Sequence, residues 1–136
     1  MSSRTPGRAL ATVAALLAVA AAAAGCSDAA GRPHEAEVTA TPVGGKPAVD
    51  GRRIDVTIAA EGVSPSAKRV GVQAGAPVTL VIHATAHGEL HVHSSPEQHV
   101  AYPRGTSAAT LRIDRPGLVD VESHQLDDLV VRLEVR

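Results

Sequence analysis

The chain has no phenylalanine and no tryptophan, and Tyr102 is its single tyrosine. Aromatic side chains usually contribute the largest buried areas in a core. Any core here must therefore be assembled from Val, Leu and Ile. Cys26 is the only cysteine, which excludes an internal disulfide, and an odd thiol in an exported chain calls for another explanation. Positive charge is not in excess either, since 13 Lys and Arg stand against 14 Asp and Glu. No basic stripe is present, so neither nucleic acid nor a membrane held through charge is an expected partner. Ser–His–Asp and Cys–His arrangements and a phosphate-cradling glycine loop are also missing. The expectation is a binding protein, not an enzyme.

What is present begins with a targeting pattern. Arg4 and Arg8 form a short basic region, followed by the uncharged run "ALATVAALLAVAAAAAG" and then "AAGC" ending at Cys26. Small residues before a cysteine after such a run mark a secretory signal cleaved at that cysteine. The pattern resembles the bacterial lipoprotein signal, in which the new N-terminal cysteine is acylated, although Ala23 stands where leucine is more usual. An uncleaved anchor is the alternative, but the Ala-rich run is barely long and apolar enough to span a bilayer. Residues 1–25 are thus read as signal peptide and Cys26 as the lipidation site. Each buried acyl methylene contributes about 0.8 kcal/mol, so several chains hold the protein at the cell membrane, on the extracytoplasmic side. Removing Arg4 and Arg8 from the 13 basic residues leaves 11 against 14 acidic ones, a mildly acidic mature chain.

Residues 26–52 read as a flexible tether. The segment "SDAAGRPHEAEVTATPVGGKPAVDGR" is rich in Ala, Gly, Pro and Thr and shows no hydrophobic period, so it offers little surface to bury. From residue 53 to 136 the pattern changes to apolar–polar alternation, the mark of half-buried strands. Seven stretches qualify: "RIDVTI", "RVGVQ", "VTLVIH", "ELHVHS", "ATLRID", "LVDVES" and "LVVRLEV". Gly- and Pro-containing turns separate several of them, and "EGVSPSAKR" reads as loop because Gly62 and Pro65 interrupt a ladder. The expected fold is all-β: a small antiparallel β-sandwich of about seven strands.

The strand order around "VQAGAPVTLVIHATAHGELHVHS" and "PGLVDVESHQLDDLVVRLEV" resembles cupredoxin-like domains of exported bacterial proteins, in particular the EfeO-type. That resemblance implies a Greek-key sandwich over residues 54–135. Blue-copper members carry a Cys, a His three residues later and a Met about five residues after that. With the family's His on His124, Val121 takes the Cys position and Leu129 the Met position. Since a blue-copper centre requires the thiolate, none is expected.

Seven histidines remain to be explained, four of them within "HGELHVHSSPEQH". Alternation sends Leu90 and Val92 to one face and Glu89, His91 and His93 to the other. It likewise separates Val119 and Val121 from Asp120, Glu122 and His124. The cupredoxin arrangement implies that these two strands are antiparallel neighbours, with Glu89 toward His124, His91 toward Glu122 and His93 toward Asp120. The outward set suits a divalent metal, copper or zinc, because imidazole and carboxylate without sulfur favour Cu(II), Zn or Ni. The candidate ligands are His91, His93 and His124, with Glu89 or Glu122. The competing reading is a solvated face of His–carboxylate pairs on a non-metal interaction module at the cell surface. His83 and His87, at the end of the domain near His124, are candidates for outer ligands, and His99 is placed in the following loop with the weakest claim. "HVH" also resembles the paired ligands of copper–zinc superoxide dismutases, but that family's further histidines and disulfide are missing.

Overall fold

In the computed structural model the described residues are 35–44 and 51–136. The signal segment 1–25, Cys26, and the tether stretches 27–34 and 45–50 lie outside them. The described residues form eleven strands and no helix. They are β1 (Ala36–Thr39), β2 (Thr41–Pro42), β3 (Arg52–Ala59), β4 (Gly62–Ser64), β5 (Lys68–Val72), β6 (Pro77–Ala84), β7 (Gly88–Val92), β8 (Gln98–Tyr102), β9 (Gly105–Arg112), β10 (Gly117–Ser123) and β11 (Asp128–Val135). Six strands in the order β1-β8-β7-β10-β11-β5 make one sheet, and β2-β9-β6-β3-β4 make the other. The all-β sandwich is the architecture that the alternating stretches imply.

All seven of those stretches are strands, and their inward residues meet between the sheets. Val56, Leu80, Ile82, Leu90, Val92, Leu111, Val121 and Leu133 are fully buried. Aliphatic packing therefore replaces the missing aromatics, and Tyr102 is the one ring in the core. β-branched side chains favour this pleated, close-packed setting. Three pairings are parallel, β1 with β8, β3 with β6 and β5 with β11. Alternation along one strand carries no information about the direction of its neighbour.

Four strands fall in segments read from the sequence as tether or loop. Residues 36–42 are not free chain: Ala36–Thr39 pairs with Gln98–Ala101, and Thr41 and Pro42 pair with Ala108 and Ser107. Ala40, between them, is buried as the chain crosses from one sheet to the other. The ordered domain accordingly begins well before residue 53. These residues are too polar to form strands alone, and they hold their conformation through backbone hydrogen bonds to exposed sheet edges. Gly62–Ser64 pairs with Thr57–Ala59 in spite of Gly62, whose φ of 136° suits the turn out of β3. Gln98–Tyr102 is likewise a strand, with Gln98, Val100 and Tyr102 facing inward. The inward Gln98 amide donates to Ser94 Oγ at 3.0 Å and Arg112 O at 3.1 Å, which satisfies a polar end in the core.

Candidate metal centre

The site lies on the outer face of the six-stranded sheet, where β7 runs between β8 and β10. Antiparallel pairing sets His91 opposite His99 on β8 and opposite Glu122 on β10. The backbone continues the same register, with His124 N–H donating to Glu89 O at 3.0 Å and His93 N–H to Asp120 O at 2.9 Å. β7 and β10 are the antiparallel neighbours expected from the cupredoxin resemblance, in the register alternation gives them. Leu90 and Val92 are buried beneath, so Glu89, His91 and His93 project outward from a rigid strand.

Gly88 opens β7 where the backbone passes close to the core. A Cβ there would run into the Tyr102 hydroxyl and lie 2.5 Å from Gln125 Oε1. Gln125 Oε1 in turn accepts the Glu89 N–H at 3.1 Å and the Tyr102 hydroxyl at 3.3 Å. The start of the strand carrying the site is thereby fixed from below.

Above the sheet, one carboxylate oxygen organises two imidazoles. Glu89 Oε1 stands 3.0 Å from His91 Nε2 and 3.2 Å from His99 Nδ1. The His91 ring meets the His99 ring edge-on at 4.3 Å between centroids and stacks on His124 at 4.6 Å, with 25° between planes. Donor atoms of Glu89, His91 and His99 all lie within 4.8 Å of one another. His99 holds the Glu89 carboxyl below the usual carboxylate range against the opposing effect of burial, and His91 adds to the lowering. The same contact with Glu89 raises His99. Mutual stabilisation of anion and cation is the cause of both shifts.

The sequence-derived ligand set is divided by this geometry. Glu89 and His91 are together, and His124 stacks on the His91 ring. His93 turns away to Glu122, 3.1 Å from its Nε2, and to Glu97, 3.5 Å from its Nδ1. The His91 and His93 centroids are 6.4 Å apart. His83 belongs to the other sheet, where it contacts Thr106 Oγ1 at 3.1 Å and approaches Asp55 at 3.9 Å. His87, in the turn before β7, lines a small cavity with Tyr102, Gln125 and Leu126.

His99 corrects the sequence reading. It is in a strand, not a loop, and it is the direct cross-strand partner of His91. The alternation of "QHVAY", with Val100 inward between outward His99 and Ala101, was the signal available. Its shortness and the preceding Ser–Ser–Pro obscured it. Val121 and Leu129, aligned above with the sulfur ligands of blue-copper domains, sit at a bulge. Glu122 pairs with Leu129 where the ladder shifts after Val121↔Val131. The extra residue in β11 is accommodated by burying both Val130 and Val131.

No protein-family model and no curated protein matches the sequence. Solved structures similar to it include a mutant of amicyanin in the Cu(I) state, with 18% identity and a TM-score of 0.47 over 65% of this chain and 86% of that one. A reduced Cu(I) form of another amicyanin mutant at pH 4 gives 19% identity and the same TM-score and coverage. A third, also reduced, has 19% identity and a TM-score of 0.45 with the same coverage. Neither identity nor TM-score at this level assigns the chain to that family.

Proposed function

We propose that this protein is a membrane-tethered, cupredoxin-like β-sandwich that binds a divalent metal, Cu(II) or Zn(II), on the outer face of its six-stranded sheet. Glu89, His91 and His99 supply the first three donors. His124 shields the His91 ring and is positioned to swing in. The observation that carries this reading is the sharing of one Glu89 oxygen by two imidazole nitrogens. A carboxylate beside two imidazoles is a ligand set that nitrogen-preferring divalent ions accept once the imidazoles are deprotonated, and three protein donors leave coordination positions open to solvent. When bound, the ion supplies a positive centre for those donors. The protein's part is to hold the donors on rigid strands.

The resemblance to EfeO-type domains rests on the strand motifs, and the tether rests on "AAGC" ending at Cys26. With acyl chains on Cys26, mass spectrometry of the membrane fraction should find a mature chain beginning at a lipid-modified Cys26. A soluble, unmodified chain in the medium would remove the membrane from this proposal.

The metal reading is tested by titrating the mature chain carrying Cys26→Ser, which takes the lone thiol out of competition. Saturable binding of Cu(II) and Zn(II) is the expected result. The Cu(II) form should lack an intense thiolate-to-copper band, because Val121 and Leu129 bring no sulfur. Absence of saturable binding by either ion would leave the face a set of solvated ion pairs, as on an interaction module.

A further inference from the structure

The ring of His99 has a second nitrogen, and it too faces potential ligands. Nδ1 points at Glu89, whereas Nε2, on the opposite edge, is buried and makes no hydrogen bond among the described residues. Glu35 Oε2 stands 3.7 Å from Nε2. Glu35, Glu97 and His99 also present donor atoms within 4.8 Å of one another. We propose that His99 bridges two divalent cations, with the second held by Glu35 and Glu97 beyond its ring. This inference rests on the metal reading of Glu89, His91 and His99 and extends it to a dinuclear site.

The backbone builds the second position as deliberately as the first. Glu35 immediately precedes β1, and Ala36 N–H donates to Glu97 O at 2.7 Å. The backbone just after Glu35 is therefore fixed to the residue that bears the other carboxylate. Parallel pairing of β1 with β8 then sets Glu37 beside His99, adding negative charge next to the ring. His93, 3.5 Å from a Glu97 oxygen, holds that side chain from the other direction.

Charge supports two ions. When the first cation takes the lone pair of Nδ1, the remaining ring proton sits on Nε2, facing Glu35. A buried N–H without a hydrogen bond is costly, and a cation in its place would be bound by two carboxylates. The proton leaves to solvent, so binding is coupled to pH as for any ligand that must deprotonate. Two dications then face the Glu35, Glu89 and Glu97 carboxylates and one imidazolate, whose four negative charges balance theirs, with Glu37 beside the ring as a further anion. Neutrality matters because unpaired charge in a partly dehydrated site is unfavourable. Part of the second position comes from the segment that leads back to Cys26, so a domain cut at residue 53 would lose it.

The test is stoichiometry of the Cys26→Ser mature chain, followed by native mass spectrometry with Zn(II) and by electron paramagnetic resonance with Cu(II). Two ions per chain are expected. With two equivalents of Cu(II), coupling through the imidazolate should reduce the signal well below that of two isolated ions. Glu35→Gln with Glu97→Gln should lower the count to one, restore a full single-ion signal, and leave the remaining ion bound within a few-fold of its original affinity. His99→Gln should lose the second ion and the coupling together and weaken the first ion as well, since the ring belongs to both positions. One ion in the wild type, unchanged by the paired Gln substitutions, would overturn the bridge while leaving the Glu89–His91–His99 reading intact. Two ions with an undiminished Cu(II) signal would overturn it as well. No ion at all would end both readings.

Discussion

Replacing Leu90 by Ala should destabilise the domain by about 2–5 kcal/mol, measured as a lower midpoint of chemical unfolding with the slope unchanged. Leu90 is fully buried and pairs in register with Val100 on β8 and Ser123 on β10. Truncation removes its transfer free energy and leaves a cavity at the centre of the sheet. The surroundings are strands locked by hydrogen bonds on both sides, which limits collapse into the void. Small domains bury a modest share of their surface, and a typical total stability is about 5–15 kcal/mol. Here neither Phe or Trp packing nor an internal disulfide adds to it, so this one side chain accounts for a large fraction. A loss below about 1 kcal/mol would mean that the inner face of β7 is not packed as described.

Its neighbour one residue on should behave in the opposite way. His91→Gln, or His99→Gln, should weaken binding of the first metal ion by more than the ~100-fold seen when merely supporting groups around a metal are lost. Stability without metal should change by no more than about 1 kcal/mol for His91→Gln, because that side chain lies on the outer sheet face and its carboxylate partner is part-exposed. His93→Gln should have far less effect on that ion, since His93 is occupied with Glu122 and Glu97. Equal losses for His91 and His93 would favour the H-x-H ligand pair over the cross-strand pair.

The pH dependence separates metal binding from folding. His99 is raised above the ordinary value of 6.5 by its contact with Glu89. A proton therefore competes with the metal from a higher pH than at a free histidine, and affinity should begin to fall above pH 6.5 as acid is added. For the metal-free fold the signs differ. The raised His99 contributes stability that is full below 6.5 and lost as pH rises through its folded value. The lowered Glu89 contributes stability that is present above its ordinary value of 4.5 and lost as pH falls through its folded value. The pair thus supports the metal-free domain best between those limits, while metal binds best above them. Isothermal titration and thermal unfolding from pH 6.5 upward should show metal affinity rising while the pair's contribution to the metal-free fold falls.

How much of this was legible in the sequence depends on which neighbours a residue needs. Alternation along "ELHVHS" and "LVDVES" determined that Leu90, Val92, Val119 and Val121 face the core and that Glu89, His91 and His93 face outward, because side-chain direction in a strand is a local, period-two property. The scarcity of aromatics likewise determined an aliphatic core, and the lone cysteine ruled out a disulfide. Local pattern does not say which strand lies beside which, or in what direction. The hairpin from β7 to β8 decides that His91 meets His99, and the parallel seating of β1 on β8 decides that Glu35 and Glu97 meet at the other edge of that ring. Both encounters are made by hydrogen bonds between backbones whose own side chains carry weak strand signals, one a short polar run and the other Ala- and Pro-rich. Such strands exist because an already folded sheet offers them an edge, so only the tertiary structure could bring His99 to Glu89 and His91, and Glu35 and Glu97 to the other edge of its ring.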